Sequence, residues 1–175
     1  MPKGILVFGG NGCGKTTLGR ELARMLQYTP MDIEEYSFEK AEPPYSKARS
    51  REDCLALLQK DLEKAETFVL SAVKGDFGRE INAMYACAVY LTAPLELRLE
   101  RIKRRAYEQH GERIRKGGDM YEQEQVFFEF VAKRSLADVE DWAKTIPCPV
   151  WQVDAAKPIG ENAQWIVSQY RALLR

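Results

Sequence analysis

The chain has 175 residues, which is enough for one domain with a sizeable hydrophobic core. Its 26 basic and 26 acidic side chains balance, so no overall field directs it to nucleic acid or to anionic lipid. No apolar run is long enough to cross a bilayer, so we expect no membrane contact. The first strand directly follows Met1-Pro2-Lys3, which leaves no room for a signal peptide, and the four cysteines are widely spaced. These features predict a protein of the reducing cytoplasm.

The first motif is a phosphate-binding loop of the form G-x-x-x-x-G-K-[ST] at residues 9–16. The apolar residues 5–8 precede it and predict a buried strand. After it, helical spacing places four side chains on one apolar face: Leu18, Leu22, Met25 and Leu26. The loop therefore lies between a strand and a helix, as a nucleotide site requires.

Glycines in this loop let backbone amides approach a phosphate, and the following helix directs its free N–H groups at the same anion. Lys15 is placed to reach the β- and γ-phosphates, and the Thr16 hydroxyl to bind Mg²⁺. Cys13 lies near the helix N-terminus, where a thiol pKa can fall, although a small filler residue is the simpler interpretation. We expect phosphate binding from Gly9, Gly10, Asn11, Gly12, Cys13, Gly14, Lys15, Thr16 and Thr17.

Strands and helical patterns alternate along the rest of the chain. Further strands are predicted at 28–33, 67–73, 86–91 and 150–154, with a polar loop at 37–50. Asp119 and Glu122 resemble a capping box that opens a long acidic helical region to about Trp142, whose inward residues would be Phe127, Phe130 and Val131. This order predicts an α/β, three-layer P-loop NTPase fold. Its five-stranded, mostly parallel sheet would carry helices on both faces and a helical lid.

Carboxylates follow two of the predicted strands, at the sheet edge where such folds bind ligands. Asp32 and Glu34 come after the second strand and could hold Mg²⁺ through water or take a proton from an acceptor hydroxyl. A solvated polar turn is the alternative. Asp76, between Gly75 and Gly78, could bind metal or serve as the base, or belong to an ordinary turn.

Charge separates strongly in the second half of the chain. Residues 98–116 hold eight basic and three acidic side chains, whereas residues 119–141 hold two basic and seven acidic ones. Two solvated helices that pair with each other would explain this. A mobile lid within 101–120 of a single domain, 1–175, would also explain it, with Arg101 or Arg105 delivered over the phosphates.

A second basic group, Lys47, Arg49 and Arg51, precedes the next helix. Three cations in that loop indicate an anionic acceptor, and a solvated charge run is the alternative.

Together these motifs resemble the nucleoside-monophosphate kinase and shikimate kinase group of P-loop small-molecule kinases. Asp32-Ile33-Glu34 is similar to the acidic D-x-D of shikimate-type kinases, which implies that Asp32 and Glu34 serve Mg²⁺ and the acceptor hydroxyl. The resemblance further implies an acceptor-binding role for Arg51 and lid roles for Arg101 and Arg105. It also implies an adenine-packing loop with Ala155, Lys157 and Pro158.

The sequence 74–78 departs from both well-known members, and the chain looks most like uncharacterised adenylate kinase-like or topology-modulation-type ATP-binding proteins. The resulting expectation is phosphoryl transfer from ATP, with Mg²⁺ as cofactor, to a small molecule, with nucleotides among the candidates. A nucleotide-binding regulator with little turnover is one alternative. A kinase of nucleic-acid ends is another, against which the zero net charge argues. The choice of ATP over GTP and the oligomeric state stay open.

Overall fold

The five strands form one parallel sheet in the order β2-β3-β1-β4-β5. The structure, a computed structural model, describes residues 4–175. Met1–Lys3 lie outside the described residues, and so does the prediction that they lead directly into the first strand without a signal peptide. The strands are β1 (Gly4–Phe8), β2 (Thr29–Asp32), β3 (Phe68–Ala72), β4 (Tyr85–Thr92) and β5 (Val150–Asp154). The predicted parallel sheet is confirmed, and every pairing in it is parallel.

The helices are α1 (Lys15–Leu26), α2 (Ile33–Ser37), α3 (Arg51–Lys64), α4 (Arg79–Asn82), α5 (Leu95–His110), α6 (Tyr121–Lys133), α7 (Ala137–Ala143) and α8 (Ile159–Leu173). A 3₁₀ turn at Gly111–Ile114 follows α5. Among these described helices, none combines the length and the apolar character needed to cross a membrane.

Strand β1 is buried along its whole length because the sheet is covered on both faces. Ile5 and Val7 pack with side chains of α1 and α8. Leu6 and Phe8 point the other way, into a cluster formed with α3 and α7 that includes Trp142. An apolar run without alternation is therefore what this central position requires.

The chain leaves β1 toward β2 on one side of the sheet and later crosses from β3 to β4 on the other side. The carboxyl end of β1 lies at this change of direction, where open α/β sheets form their ligand crevice. Strands β2, β4 and β5 end at the same edge of the sheet, and the segments that follow them lie around the loop at residues 9–16.

The acidic region after residue 118 differs from the prediction in two ways. It forms two helices, because the chain leaves the helical path at 134–136, where the Ser135 hydroxyl accepts a hydrogen bond from the Ala137 amide. The predicted capping box is wrong: Asp119 instead accepts two hydrogen bonds from Arg113, at 3.0 and 2.8 Å.

The predicted inward face of this region is also partly wrong. Phe130 is 51% exposed and lies beneath the Arg134 guanidinium, whereas Phe128 is buried with Val131 against α5. Residues 128 and 131 are three apart, and this spacing puts them on the face that α6 turns toward α5.

Candidate functional site

The phosphate-binding loop joins β1 to α1 with glycines in backbone conformations that other residues avoid. Gly12 and Gly14 have φ of +84° and +89°, and a Cβ on Gly12 would lie 2.4 Å from the Arg98 carbonyl oxygen. Because α1 begins at Lys15, its first backbone N–H groups have no helical partner and remain available to an anion.

Lys15 lies over this loop, and its Nζ donates a hydrogen bond to the Gly10 carbonyl at 3.0 Å. Burial lowers the pKa of its ammonium group. A desolvated cation with a single backbone partner is poised to exchange that partner for phosphate oxygens. On β3, the Ser71 hydroxyl donates to the Lys15 carbonyl at 3.1 Å and so fixes the start of α1.

Asp32 connects the phosphate loop to the segment after β2. One carboxylate oxygen accepts from the Thr16 hydroxyl at 2.5 Å, and the other accepts from the Glu34 amide at 3.0 Å, which caps α2. The α2 turn then brings Glu34 to the same crevice.

Glu34 lies in the cleft near three charged groups: Asp32, Lys15 and Arg105. The cleft walls desolvate its carboxyl and the Asp32 charge lies nearby, so its pKa is raised, while Arg105 and Lys15 oppose the shift. The Tyr45 hydroxyl lies near the Glu34 carboxylate, and both side chains line the same cavity. A carboxylate with a raised pKa in a cleft is a chemically plausible general base.

Two cavities lie beside the phosphate loop and share part of their walls. The larger has a volume of about 890 Å³ and is lined by Thr16, Asp32, Glu34 and residues of α2 and the following loop. The smaller has a volume of about 380 Å³ and lies between the loop, α5 and the turn after β5. Thr17 and Arg105 belong to the walls of both. A group bridging the two cavities would therefore contact Thr17 and Arg105.

Arg101 lies on the side of the smaller cavity. Its guanidinium donates to the Ala155 carbonyl at 2.9 Å, and Ala155 and Lys157 line the same cavity. Pro158 precedes α8 and does not belong to that wall. The two predicted lid arginines thus have different positions, one at the turn after β5 and one between the cavities.

The segment after α5 contacts the loop after α2, which lines the larger cavity. Arg113 forms an ion pair with Glu42 at 2.7 Å, and the Gln123 amide donates to the Pro44 carbonyl at 3.2 Å. The first contact joins the predicted lid, and the second joins α6, to the loop after α2 that lines the larger cavity.

Asp76 is not brought to the other carboxylates. It accepts from the Asn82 amide at 3.0 Å and lines neither cavity, because the turn after β3 folds back onto α4. Cys13 is a buried residue of the phosphate loop, as the simpler interpretation of a small filler residue requires. Burial raises the pKa of its thiol, and this outweighs the lowering by Lys15 and Arg98.

The basic group before α3 does not line the larger cavity. Arg49 donates to the backbone carbonyls of Glu35, Tyr36 and Phe38, so it fixes the end of α2. Arg51 donates to the Asp76 carbonyl at 3.2 Å. Neither arginine is positioned to hold an anionic acceptor in this cavity.

Two further residues contact this site. Arg98 lies under the phosphate loop, and its spacing from Leu95 and Ile102 puts a charge on the apolar face of α5, a signal that was available. Tyr45 reaches Glu34 from an irregular loop, and no periodicity could have indicated it.

Among residues 4–175, no group of three or more His, Cys, Asp or Glu side chains is arranged to hold a metal ion by itself. Mg²⁺ in kinases needs only one or two protein ligands beside the phosphates. The paired oxygens of Thr16 and Asp32 next to the phosphate loop fit that requirement.

The sequence profile described as "AAA domain" matches residues 5–126, which include the phosphate loop, all of α5 and the start of α6. Among curated proteins, "Uncharacterized protein YqaC" of Bacillus subtilis (strain 168) is 29% identical over 175 residues, covering 95% of this chain and 97% of that protein.

Solved kinase structures share the fold. A gluconokinase from Sinorhizobium meliloti 1021 is 17% identical with a TM-score of 0.59, covering 98% of this chain and 93% of its own. Shikimate kinase from Acinetobacter baumannii in complex with shikimate is 19% identical with a TM-score of 0.59, covering 98% and 94%. Deoxyadenosine kinase from M. mycoides is 19% identical with a TM-score of 0.58, covering 97% and 99%. The predicted fold and the predicted likeness to P-loop small-molecule kinases are confirmed.

Proposed function

The chain belongs to the AAA domain family, and we propose that it is an ATP-dependent kinase that phosphorylates a small hydroxyl compound. The observation that carries this proposal is that two cavities beside the phosphate loop have Arg105 and Thr17 in both of their walls. ATP would occupy the smaller cavity and the acceptor the larger one.

The donor side uses groups already in place. Lys15 and the loop amides hold the β- and γ-phosphates, and Arg101 fixes the turn after β5 beside the adenine. Thr16 and Asp32 are the residues that would hold Mg²⁺, which would supply positive charge beside the phosphates when bound.

The transfer step follows from the position of Glu34. Its carboxylate takes the proton of the acceptor hydroxyl, the hydroxyl oxygen forms a bond to the γ-phosphorus, and the bond from that phosphorus to the leaving ADP oxygen breaks. Arg105 stabilises the charge that develops on the transferred group. Tyr45 orients Glu34 for this proton transfer.

The charge of the larger cavity favours an acceptor without a phosphate of its own. Its wall contains five carboxylates and three cations, and one of those cations, Arg105, lies between the two cavities. A second, Arg20, is 4.0 Å from Glu35. Aromatic side chains in the same wall offer ring faces to a sugar or a base: Tyr36, Phe38 and Tyr45.

Acceptor-dependent ADP release from Mg-ATP tests the proposal. Matched pairs of nucleosides and their monophosphates, together with sugars and amino sugars, would be compared with Lys15→Ala as the background. We expect release with acceptors that carry no phosphate. Activity only with nucleoside monophosphates would overturn the choice of acceptor but keep the kinase, and release with none of these compounds would count against the kinase.

A further inference from the structure

Arg98 is a buried cation without an acidic partner. Its side chain is on the first half of α5, and the residue is only 7% exposed. Within residues 4–175, no carboxylate forms an ion pair with it, and its Nε is buried without any hydrogen-bond partner. Burying an unpaired charge opposes folding unless something compensates.

The guanidinium lies against the phosphate loop. Nη1 donates to the Asn11 carbonyl at 3.3 Å, and a Cβ on Gly10 would lie only 2.6 Å from the same nitrogen. The Asn11 side chain is held in turn by Arg134, whose Nη1 lies 3.4 Å from its amide oxygen. Arg98 and Arg134 thus both donate hydrogen bonds to one loop residue, Asn11.

The charge of Arg98 acts on the loop itself. It favours the thiolate form of Cys13 and so lowers the pKa of that thiol, against the larger effect of burial. An indirect link to a carboxylate exists: Tyr90 lies close to Arg98 and donates its hydroxyl to Glu140 at 2.9 Å.

We propose that Arg98 is a positioning residue whose unpaired charge is retained to hold polyphosphate in the loop, at a cost to the stability of the ligand-free protein. A bound diphosphate would supply the negative charge that no carboxylate of residues 4–175 provides to Arg98. The inference rests on nucleotide binding in the proposed function, but it concerns affinity and stability and does not require turnover.

The test measures melting temperature and ligand affinity in wild type, Arg98→Met and Arg98→Lys. The two quantities are expected to change in opposite directions in Arg98→Met. Arg98→Met should raise the melting temperature of the ligand-free protein by about 2–4 °C, because an uncompensated buried charge is replaced by an apolar side chain of similar length. The same variant should weaken Mg-ADP and inorganic pyrophosphate at least about tenfold by calorimetry. Arg98→Lys, which keeps the charge, should retain most of the affinity.

Arg171→Met, on the exposed face of α8, removes one positive charge elsewhere and should change neither readout. A lower melting temperature for Arg98→Met, a failure of that variant to fold, or unchanged affinity for Mg-ADP would each overturn the proposal and leave Arg98 a structural residue. If wild type binds Mg-ADP but never releases ADP with an acceptor, the kinase fails while this inference stands. If wild type binds neither Mg-ADP nor pyrophosphate, both fail.

Discussion

The Thr16 hydroxyl lies 2.5 Å from one carboxylate oxygen of Asp32, and the other oxygen of that carboxylate accepts the Glu34 amide at 3.0 Å. One side chain therefore connects the phosphate loop with the segment that carries the proposed base. In the proposed function its charge serves Mg²⁺, and its hydrogen bond to the Glu34 amide caps the start of α2. These two roles can be separated by substitution.

Asp32→Asn should remove the charge but keep a good helix cap, since asparagine and aspartate cap equally well. We expect acceptor-dependent ADP release to fall about 10–100-fold, as for groups that support a metal indirectly, with little change in melting temperature. Asp32→Ala also loses the cap and should destabilise the protein by about 0.5–2 kcal/mol. A wild-type rate in Asp32→Asn would exclude a role in metal binding.

The raised pKa of Glu34 sets the expected pH dependence. As pH falls through that pKa, the carboxylate gains a proton and can no longer act as a base, so kcat/KM should fall on the acid side, above the ordinary glutamate range. Glu34→Gln should lower the rate about 10²–10⁴-fold and remove this inflection. An acid limb that persists in Glu34→Gln would assign the titration to another group.

Stability gives an independent check on the same carboxyl group. Because the folded-state pKa of Glu34 is raised, the protonated form favours folding, and this contribution is lost as pH rises through that pKa. Glu34→Gln should therefore raise the melting temperature at neutral pH and leave it unchanged well below the ordinary pKa of glutamate. The opposite trend with pH would show that the folded protein favours the ionised form.

Arg105 and Arg101 should give different kinetic defects because they occupy different walls. Arg105→Met should reduce kcat by about 10³-fold, the lower end of the range for an arginine that stabilises a transferring phosphoryl group, with little effect on Mg-ATP binding. Arg101→Met should mainly raise the KM for ATP, because the turn after β5 loses its anchor. Equal losses of kcat in both variants would contradict this division.

Arg49 is expected to increase the free energy of unfolding of the protein. Arg49→Met leaves three backbone carbonyls after β2 without their donor, so the protein should lose about 1–3 kcal/mol in a denaturant titration. Lys47→Met, from the same basic group, should change stability by less than about 0.5 kcal/mol. An Arg49→Met variant with unchanged stability but an acceptor KM raised severalfold would restore an acceptor-binding role for this arginine.

Local sequence was sufficient for the strands, the phosphate loop and the sheet. Residues 5–8 have no polar side chain because both faces of β1 are covered, and the loop glycines follow from backbone geometry. The same local rules placed Asp32 and Glu34 correctly at the end of β2, next to the loop.

Contacts between distant segments could not be predicted in this way. The position of Asp76 depends on Asn82 in α4, and that of Arg49 on the path of the chain after α2. Phe130 was misassigned because the orientation of α6 depends on α5, not on the hydrophobicity of α6 alone. Charge counts likewise could not indicate which basic residues line a cavity.

The proposed reaction is transfer of the γ-phosphoryl group of ATP, held by the phosphate loop, to a hydroxyl compound in the larger cavity. Its most direct test is to follow γ-labelled ATP into phosphorylated acceptor, with wild type and Lys15→Ala side by side. We predict labelled acceptor from wild type and a loss of at least about 100-fold in Lys15→Ala. Label that appears only as inorganic phosphate with every acceptor, or an undiminished rate in Lys15→Ala, would contradict the claim.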